Sequence, residues 1–257
     1  MHTDGYTRSE IIHAPDCLML FDYLRQKIVL ENTLNKYEEG QVLLIDKPYK
    51  WTSFDIIRKV RELIKIRKVG HAGTLDPLAT GLLIVCTGKF TKSINEYMAQ
   101  EKEYTGTITL GATTPTFDLE GELQNIKDSS SITEEQIRNA TSAFTGEIMQ
   151  VPPMHSAIKK NGVRVYELAR RGETIELEPR KLFIKEFAIT TVEMPVVHFR
   201  VVCSTGTYIR SLANDFGAAL GCGGYLSSLC RTRIGAFELC KALSVEQLEE
   251  QVKKDIV

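Results

Sequence analysis

The chain has 257 residues, a net charge of −1, 43% hydrophobic and 25% charged residues, the make-up of a globular protein with one large domain or two small ones and a sizeable core. The near-neutral balance excludes a polycation, no apolar run reaches bilayer-spanning length, and Asp4, Arg8, Glu10 and Asp16 interrupt any secretory signal core, so a cytoplasmic protein without membrane contact is expected. Six cysteines without a CxxC pair and five scattered histidines predict reduced, mostly buried thiols and no metal site.

Residues 1–40 read as a leader with one helix near 19–36 and no motif, and Met19 is an alternative start. Residues 41–46 form a buried strand, which Lys47-Pro48 ends because proline cannot continue a ladder. Ser53 suits a helix N-cap with Asp55 in the first turn. Ile56, Ile57, Val60, Leu63 and Ile64 then recur at helical spacing over 54–65. A first basic group, Arg58, Lys59, Arg61, Lys65, Arg67 and Lys68, covers the other face of this helix and the residues just beyond its end. Three glycines and a proline in 69–81 mark a shaped loop. A strand at 82–86, a short helix near 91–98 and a strand at 102–110 come next.

After a polar loop at 111–130, Ser131-x-x-Glu134 reads as a capping box for a helix running to about Phe144, with Gly146 as its C′ residue. Val151-Pro152-Pro153 opens an irregular stretch to about Gly172, which holds a short helix near Tyr166–Arg170. That stretch carries a second basic group of Lys159, Lys160, Arg164, Arg170 and Arg171. Strands are expected at 182–190 and 196–203, the latter with Val197, Phe199, Val201 and Cys203 on one face. A helix at 209–220 buries Ile209, Leu212, Ala213, Phe216 and Leu220 and ends at Gly221. Arg231 and Arg233 are a third basic pair, able like the others to track phosphates, and 246–257 is a tail of mixed charge. Without a regular βαβ rhythm, the pattern predicts an α+β fold with a mixed, largely antiparallel sheet flanked by helices.

The glycine-rich loop is where backbone can approach a ligand closely. Asp76, followed by Pro77, is either a nucleophile or base on a rigid loop or a carboxylate capping a turn, and His71 lies five residues before it. Arg210, beside Tyr208 at a strand-to-helix transition, pairs either with a functional carboxylate or in an ordinary surface salt bridge. Tyr104 is either a site residue or a core aromatic. There is no GxxxxGK[ST] loop, GxGxxG after a strand, GxSxG elbow or HExxH helix. Nucleotide hydrolysis, dinucleotide redox chemistry and metalloprotease activity are therefore disfavoured.

Six segments in order resemble TruB-type tRNA pseudouridine synthases. They are Leu43-Leu44-Ile45-Asp46-Lys47-Pro48 with Thr52-Ser53; Lys68-Val-Gly-His71-Ala-Gly-Thr-Leu-Asp76-Pro-Leu-Ala-Thr-Gly81; Lys102-Glu-Tyr104; Pro152-Pro-Met-His-Ser156-Ala-Ile-Lys159 with Gly162 and Tyr166-Glu-Leu-Ala-Arg170; Cys203-Ser-Thr-Gly206-Thr-Tyr208-Ile-Arg210-Ser-Leu; and Leu229-x-Arg231-x-x-x-Gly235. The likeness implies a catalytic domain over 41–245 with an RNA-gripping insertion at about 148–172. It leaves the leader unmatched and no room for the C-terminal RNA-binding domain that many relatives append.

The resemblance further implies a monomeric, cofactor-free isomerase acting on the T-arm uridine at position 55 of tRNA. The N-glycosidic bond breaks, the uracil turns, and it rejoins the ribose through carbon 5. By the resemblance Asp76 is the nucleophile and Tyr104 stacks on the flipped base or acts as a base on the sugar. His71 fills or supports the vacated space, and Tyr208 and Leu229 line the pocket. Lys47 and Pro48 support the loop, and Arg58, Lys59, Lys159, Lys160 and Arg170 contact phosphates. A nucleophilic carboxylate must be ionised, so Arg210 is expected within salt-bridge reach of Asp76. Other readings are an RNA-folding chaperone without essential chemistry, a guide-RNA-dependent relative acting on ribosomal RNA, and an unrelated hydrolase using His71 and Asp76.

Overall fold

The computed structural model describes Met19 and residues 36–156, 158–160, 163–171 and 175–256. Between its end residues, the helix expected near 19–36 lies outside them. One mixed sheet runs in the order β1-β3-β10-β4-β9-β8-β5, with β2 added to β3 and β11 to β10. These strands are β1 (Val42–Lys47), β2 (Val69–His71), β3 (Ala79–Thr87), β4 (Lys102–Leu110), β5 (Gly146–Gln150), β8 (Arg180–Glu193), β9 (Val196–Cys203), β10 (Gly224–Ile234) and β11 (Phe237–Glu238). A two-stranded ribbon of β6 (Lys159–Lys160) and β7 (Val163–Arg164) stands apart. Every pairing between these strands is antiparallel except β3 with β10. The α+β expectation therefore holds.

The apolar patterns explain the layers. Alternate residues of β9, Val197, Phe199, Val201 and Cys203, point as expected into a core shared with β4, β8 and α5 (Ile209–Ala219). Phe216 of that helix meets Phe187 edge-on at 5.2 Å between ring centres, and Phe187 meets Phe199 at 6.0 Å. Each such pair contributes about 0.5–1.5 kcal/mol beyond its buried area. A second core lies under α1 (Ser53–Ile64), which contributes Ile56, Ile57, Val60 and Ile64. β3 is buried on both faces, with Leu83 and Val85 in this core and Leu82, Ile84 and Cys86 in a third. That is why its sequence is a continuous apolar run rather than an alternation. The short helix α2 (Ile94–Ala99) adds Ile94 and Tyr97 to the third core. The segment read as a tail forms α6 (Val245–Ile256), whose Val245, Leu248 and Val252 close the second core.

Two helix starts differ from expectation. α1 is capped by Thr52, not Ser53: the Thr52 hydroxyl accepts the Asp55 N–H at 3.0 Å and Asp55 accepts the Thr52 N–H at 2.9 Å. Likewise α3 (Glu134–Ala140) is capped by Thr133 with Gln136, not by Ser131 with Glu134. In both cases the reciprocal pair closest to the first helical turn satisfies two orphan donors. β2, β5, β6, β7, β10 and β11 were not expected as strands, and 148–150, placed in the insertion, pair with β8 as part of β5.

α5 lies against the start of β10 at backbone contact distance. A Cβ built at Gly217 would stand 2.1 Å from the Gly224 nitrogen, and backbone cannot move aside cheaply. Alanine is favoured over glycine in a free helix by about 1 kcal/mol. Gly217→Ala is nonetheless expected to destabilise the protein by about 1–3 kcal/mol, read as a lower urea midpoint. An unchanged or higher midpoint would mean that α5 is not clamped to β10.

Candidate active site

The glycine-rich loop leaves β2 at His71 and enters β3 at Ala79. It crosses the sheet where β3 meets β10 in the parallel pairing Ala79 with Leu229 and Gly81 with Arg231. Gly81 has φ +97°, and a Cβ there would lie 2.5 Å from the Arg231 carbonyl oxygen. Both the conformation and the closeness of β10 thus require glycine.

Asp76 is held from both sides through its neighbours. The Ser53 hydroxyl accepts the Leu75 N–H at 2.9 Å and donates to the Leu75 carbonyl at 3.2 Å. On the other side, the Pro77 carbonyl accepts from the Lys50 N–H at 2.9 Å and from Lys47 Nζ at 3.3 Å. Lys47 is wholly buried and also donates to the Pro48 and Trp51 carbonyls. Burial pulls its pKa down to about 8, against an opposing pull from the Asp76 charge. The loop is therefore a rigid frame, and its carboxylate remains 38% exposed.

Arg210, in the first turn of α5, meets that carboxylate as expected. Its Nε donates to Asp76 Oδ2 at 2.8 Å and its Nη2 to Oδ1 at 3.2 Å, a bidentate pair. The side chain is 6% exposed. Its remaining donors reach the Thr116 carbonyl at 3.2 Å and the His155 carbonyl at 2.9 Å. A second carboxylate, buried Asp118, lies 3.7 Å from Nε. Neither Asp118 nor Thr116 was expected. They sit in the loop read only as polar, which the paired Thr113 and Gln124 fold back upon itself. Phe117, between them, has φ 63°, a conformation uncommon for a bulky residue.

Asp76, Leu78, Ala79, Asp118, Leu119, Leu226, Ser227, Ser228 and Leu229 line a shallow open cleft. A β-bulge between Leu226 and Ser228 turns the strand at this point. Tyr104, 8% exposed, is paired in register with Arg231 of β10. Burial raises the pKa of its phenol, against the pull of the Arg231 cation, so at neutral pH it is a neutral donor rather than a phenolate. Burial first, and then Arg231, lowers the pKa of His71, whose Nδ1 has no hydrogen-bond partner of normal geometry. Tyr208 is the N-cap of α5, and its backbone is fastened to the Gln150 side chain by bonds of 2.9 and 3.1 Å. Gln150 was not foreseen either.

The basic groups are less uniform than their sequence clustering implies. Arg58 is exposed and paired with Asp55 at 2.6 Å, while Lys59 joins Glu249 of α6 at 3.1 Å. Arg61 donates to the Val69 carbonyl at 2.9 Å. The backbone of Lys159 and Lys160 lies in β6 and that of Arg170 in α4 (Val165–Arg170), while their side chains are outside the described residues. The third pair is not a phosphate surface: Arg231 is 1% exposed, and Arg233 binds Glu101 at 2.9 Å. Among the described residues no helix is long and apolar enough to cross a membrane, and no cluster of His, Cys, Asp and Glu could hold a metal.

Comparison with known proteins agrees with this geometry. Residues 61–209 match the TruB family pseudouridylate synthase N-terminal domain, and residues 210–255 match the tRNA pseudouridylate synthase B C-terminal domain. A protein of Flavobacterium johnsoniae named tRNA pseudouridine synthase B is 54% identical over 228 residues, covering 86% of this chain and 100% of that protein. One of the same name from Phocaeicola vulgatus is 50% identical over 220 residues, covering 83% and 94%. Among solved structures, a chain in the crystal structure of a Cbf5-Nop10-Gar1 complex superposes with a TM-score of 0.66 at 28% identity. The match covers 86% of this chain but 56% of that one, so this chain spans little more than half of its length. With its fold, its loop and its sequence in agreement, the chain belongs to the TruB family of pseudouridylate synthases and is an enzyme of the isomerase class.

Proposed function

We propose that this protein converts the T-arm uridine at position 55 of tRNA to pseudouridine, with Asp76 as the nucleophile on a flipped-out base. The observation that carries this reading is the half-exposed Asp76 carboxylate at the cleft, held in a bidentate pair by buried Arg210. The relatives named tRNA pseudouridine synthase B, which this chain matches over nearly their whole length, supply the substrate class. Asp76 attacks the base or the anomeric carbon and forms a bond to it, the bond from N1 to the ribose breaks, and as carbon 5 is joined to the ribose the bond to Asp76 breaks and the carboxylate is restored. Carbon 5 then loses its proton to water and N1 gains one, so the isomerisation balances without an oxidant or reductant.

Flipping a base costs a few kcal/mol, and stacking on an aromatic ring returns about 1–3 kcal/mol. Tyr104 is the stacking platform, and its raised pKa favours this role over that of a base on the sugar. Leu229 lines the cleft, Tyr208 is assigned by the family resemblance to the same pocket, and His71, neutral at working pH, fills or supports the space the base leaves. Arg58, Lys159, Lys160 and Arg170 position the backbone of the RNA through phosphates. Lys59 is engaged with Glu249 and would have to exchange that partner to join them.

Tritium release from tRNA labelled at uridine carbon 5 is the direct assay. Asp76→Asn is expected to release none while binding tRNA as wild type does. Release from Asp76→Asn would remove it as nucleophile, and tight binding without release from either chain would favour a folding chaperone. Arg210→Ala is expected to be inactive and destabilised by about 3–5 kcal/mol, because Asp118 is then left buried without its cation; a folded, active variant would overturn the pairing role.

Lys47 gives a pH signature. Below its pKa of about 8 the ammonium supplies a proton to each of its three carbonyl partners. Above it, the neutral amine has only two to give and the loop loosens. The linkage sign is separate: the unfolded chain binds more protons between about 8 and the ordinary lysine value, so this group does not lower global stability there. Turnover at saturating tRNA should therefore fall as pH rises through about 8 without unfolding. Lys47→Met should be slower throughout and lack that limb; retention of the limb would assign it elsewhere.

A further inference from the structure

The segment that fixes the backbone around Asp76 also carries side chains that its own bonds leave unused. Residues 47–61 hold five cations, Lys47, Lys50, Arg58, Lys59 and Arg61, against one carboxylate, Asp55. Asp55 is already taken by the N–H and hydroxyl of Thr52 and by Arg58. Between Lys47 and Lys59 the exposed residues are Tyr49, Lys50, Thr52, Phe54 and Arg58. Two of them are large aromatics, with Tyr49 51% and Phe54 62% exposed. Leaving that much of a phenylalanine in water forgoes hydrophobic stabilisation.

These rings stand on a rigid base. Lys47 Nζ donates to the Pro48 and Trp51 carbonyls, and Trp51 packs against the second core. The Lys50 N–H bonds the Pro77 carbonyl, and the Ser53 hydroxyl bonds Leu75. Each exposed ring is thus the chain neighbour of a residue bonded to the catalytic loop, Tyr49 beside Lys50 after Asp76 and Phe54 beside Ser53 before it. Summed along these bonds, the Cα of either ring residue lies within roughly 15 Å of the Asp76 Cα, a few nucleotides along one strand.

Cations accompany both rings. Lys50 Nζ stands 5.7 Å from the centre of the Tyr49 ring. Arg58 follows Phe54 by four residues, which puts both on one face of α1, and its side chain is 71% exposed. Lys50 has φ 66°, a conformation that glycine adopts more easily, so the turn itself gives no reason for a lysine there. Exposed rings among cations suit unpaired nucleotides: every base has a π face to stack, and the cations meet the phosphates.

We propose that Phe54 is the platform of a second base-binding site, on which an unpaired nucleotide beside the target uridine stacks while Lys50 and Arg58 hold the adjoining phosphates. This inference rests on the reading of the substrate as tRNA. It ties the strand next to the flipped nucleotide to the same frame that fixes Asp76.

Equilibrium binding of unmodified tRNA transcript tests the site without relying on turnover. Phe54→Leu keeps apolar bulk but removes the ring, and should weaken binding on the order of tenfold, whereas Phe54→Trp should bind as wild type does. Lys50→Gly should not lower the thermal midpoint, because the turn accepts glycine, and should reduce the slope of log affinity against log salt by about one. Transcripts with 2-aminopurine at either nucleotide beside the target should be quenched at one of the two positions by wild type and Phe54→Trp, but not by Phe54→Leu. Wild-type affinity in Phe54→Leu, quenching that persists in it, or an unchanged salt slope in Lys50→Gly overturns the proposal. Should Phe54→Leu lose its fold, absence of quenching by wild type at both positions still overturns it. Binding and quenching as expected without tritium release from wild type would sink the isomerase reading and leave the site standing; tritium release from wild type with full affinity in Phe54→Leu would do the reverse.

Discussion

The site is organised around the demand of one buried guanidinium for acceptors. Arg210 carries its donors into a place where water cannot satisfy them, so protein oxygens must. Asp76 supplies two, from a position 134 residues away in sequence. The Thr116 and His155 carbonyls supply others. Four separate segments therefore converge because each completes part of one planar hydrogen-bond set. Asp118 adds a second negative charge beside the first. Two carboxylates around one guanidinium make an acidic cleft that is only half compensated, and only Asp76 of the two is open to solvent.

The elements most legible in the sequence are those whose side chains face one core. Periodicity placed α1, α5, β4 and β9, and the inward residues named for α1, α5 and β9 pack into or against the cores, because burial on one face imposes a repeat of 3.6 or 2. The strands that were missed lack that signature for physical reasons. β10 is interrupted by its bulges, with polar Ser227, Ser228 and Arg231 where a plain strand would alternate. β5 is a short edge strand with Met149 65% exposed, and β2 is three residues long. α6 was read as a tail because its charges mask a sparse apolar stripe of Val245, Leu248 and Val252. Asp76, Arg210 and Tyr104 were marked by local context with alternatives left open, and only the family resemblance chose between them. Asp118 and Gln150 had no local signal, since their importance arises from loops that meet Arg210 and Tyr208 in space.

Charge was the least transferable of the sequence signals. Runs of lysine and arginine look alike in one dimension, yet their fates here differ with geometry. Arg58 remains on the surface, Lys59 fastens α1 to α6, Arg61 binds a backbone carbonyl, and Arg231 is withdrawn from solvent altogether. A spacing of three or four residues places side chains on one helix face, but it does not say whether that face meets RNA, another helix or a carbonyl. Only exposed members of such a group can exchange counterions for phosphates.

The arrangement of the loop resolves a tension between rigidity and access. In the role proposed for Asp76 a nucleophile must be exposed to its substrate, but exposure of a short glycine-rich segment invites motion, and displacement of reacting atoms by about 1 Å can cost 10²-fold in rate. Here the two requirements fall on different atoms. The backbone on either side of Asp76 is fixed at Leu75 by Ser53 and at Pro77 by Lys47 and Lys50. The carboxylate itself is aimed by Arg210. The hydroxyl and ammonium that hold the frame are buried, so incoming RNA cannot compete for them. Glycines supply the path of the loop, not its flexibility: Gly81 is where β10 passes too closely for any side chain. In the proposed reaction mobility is thereby left to the substrate base, while the protein meets it with a loop already fixed.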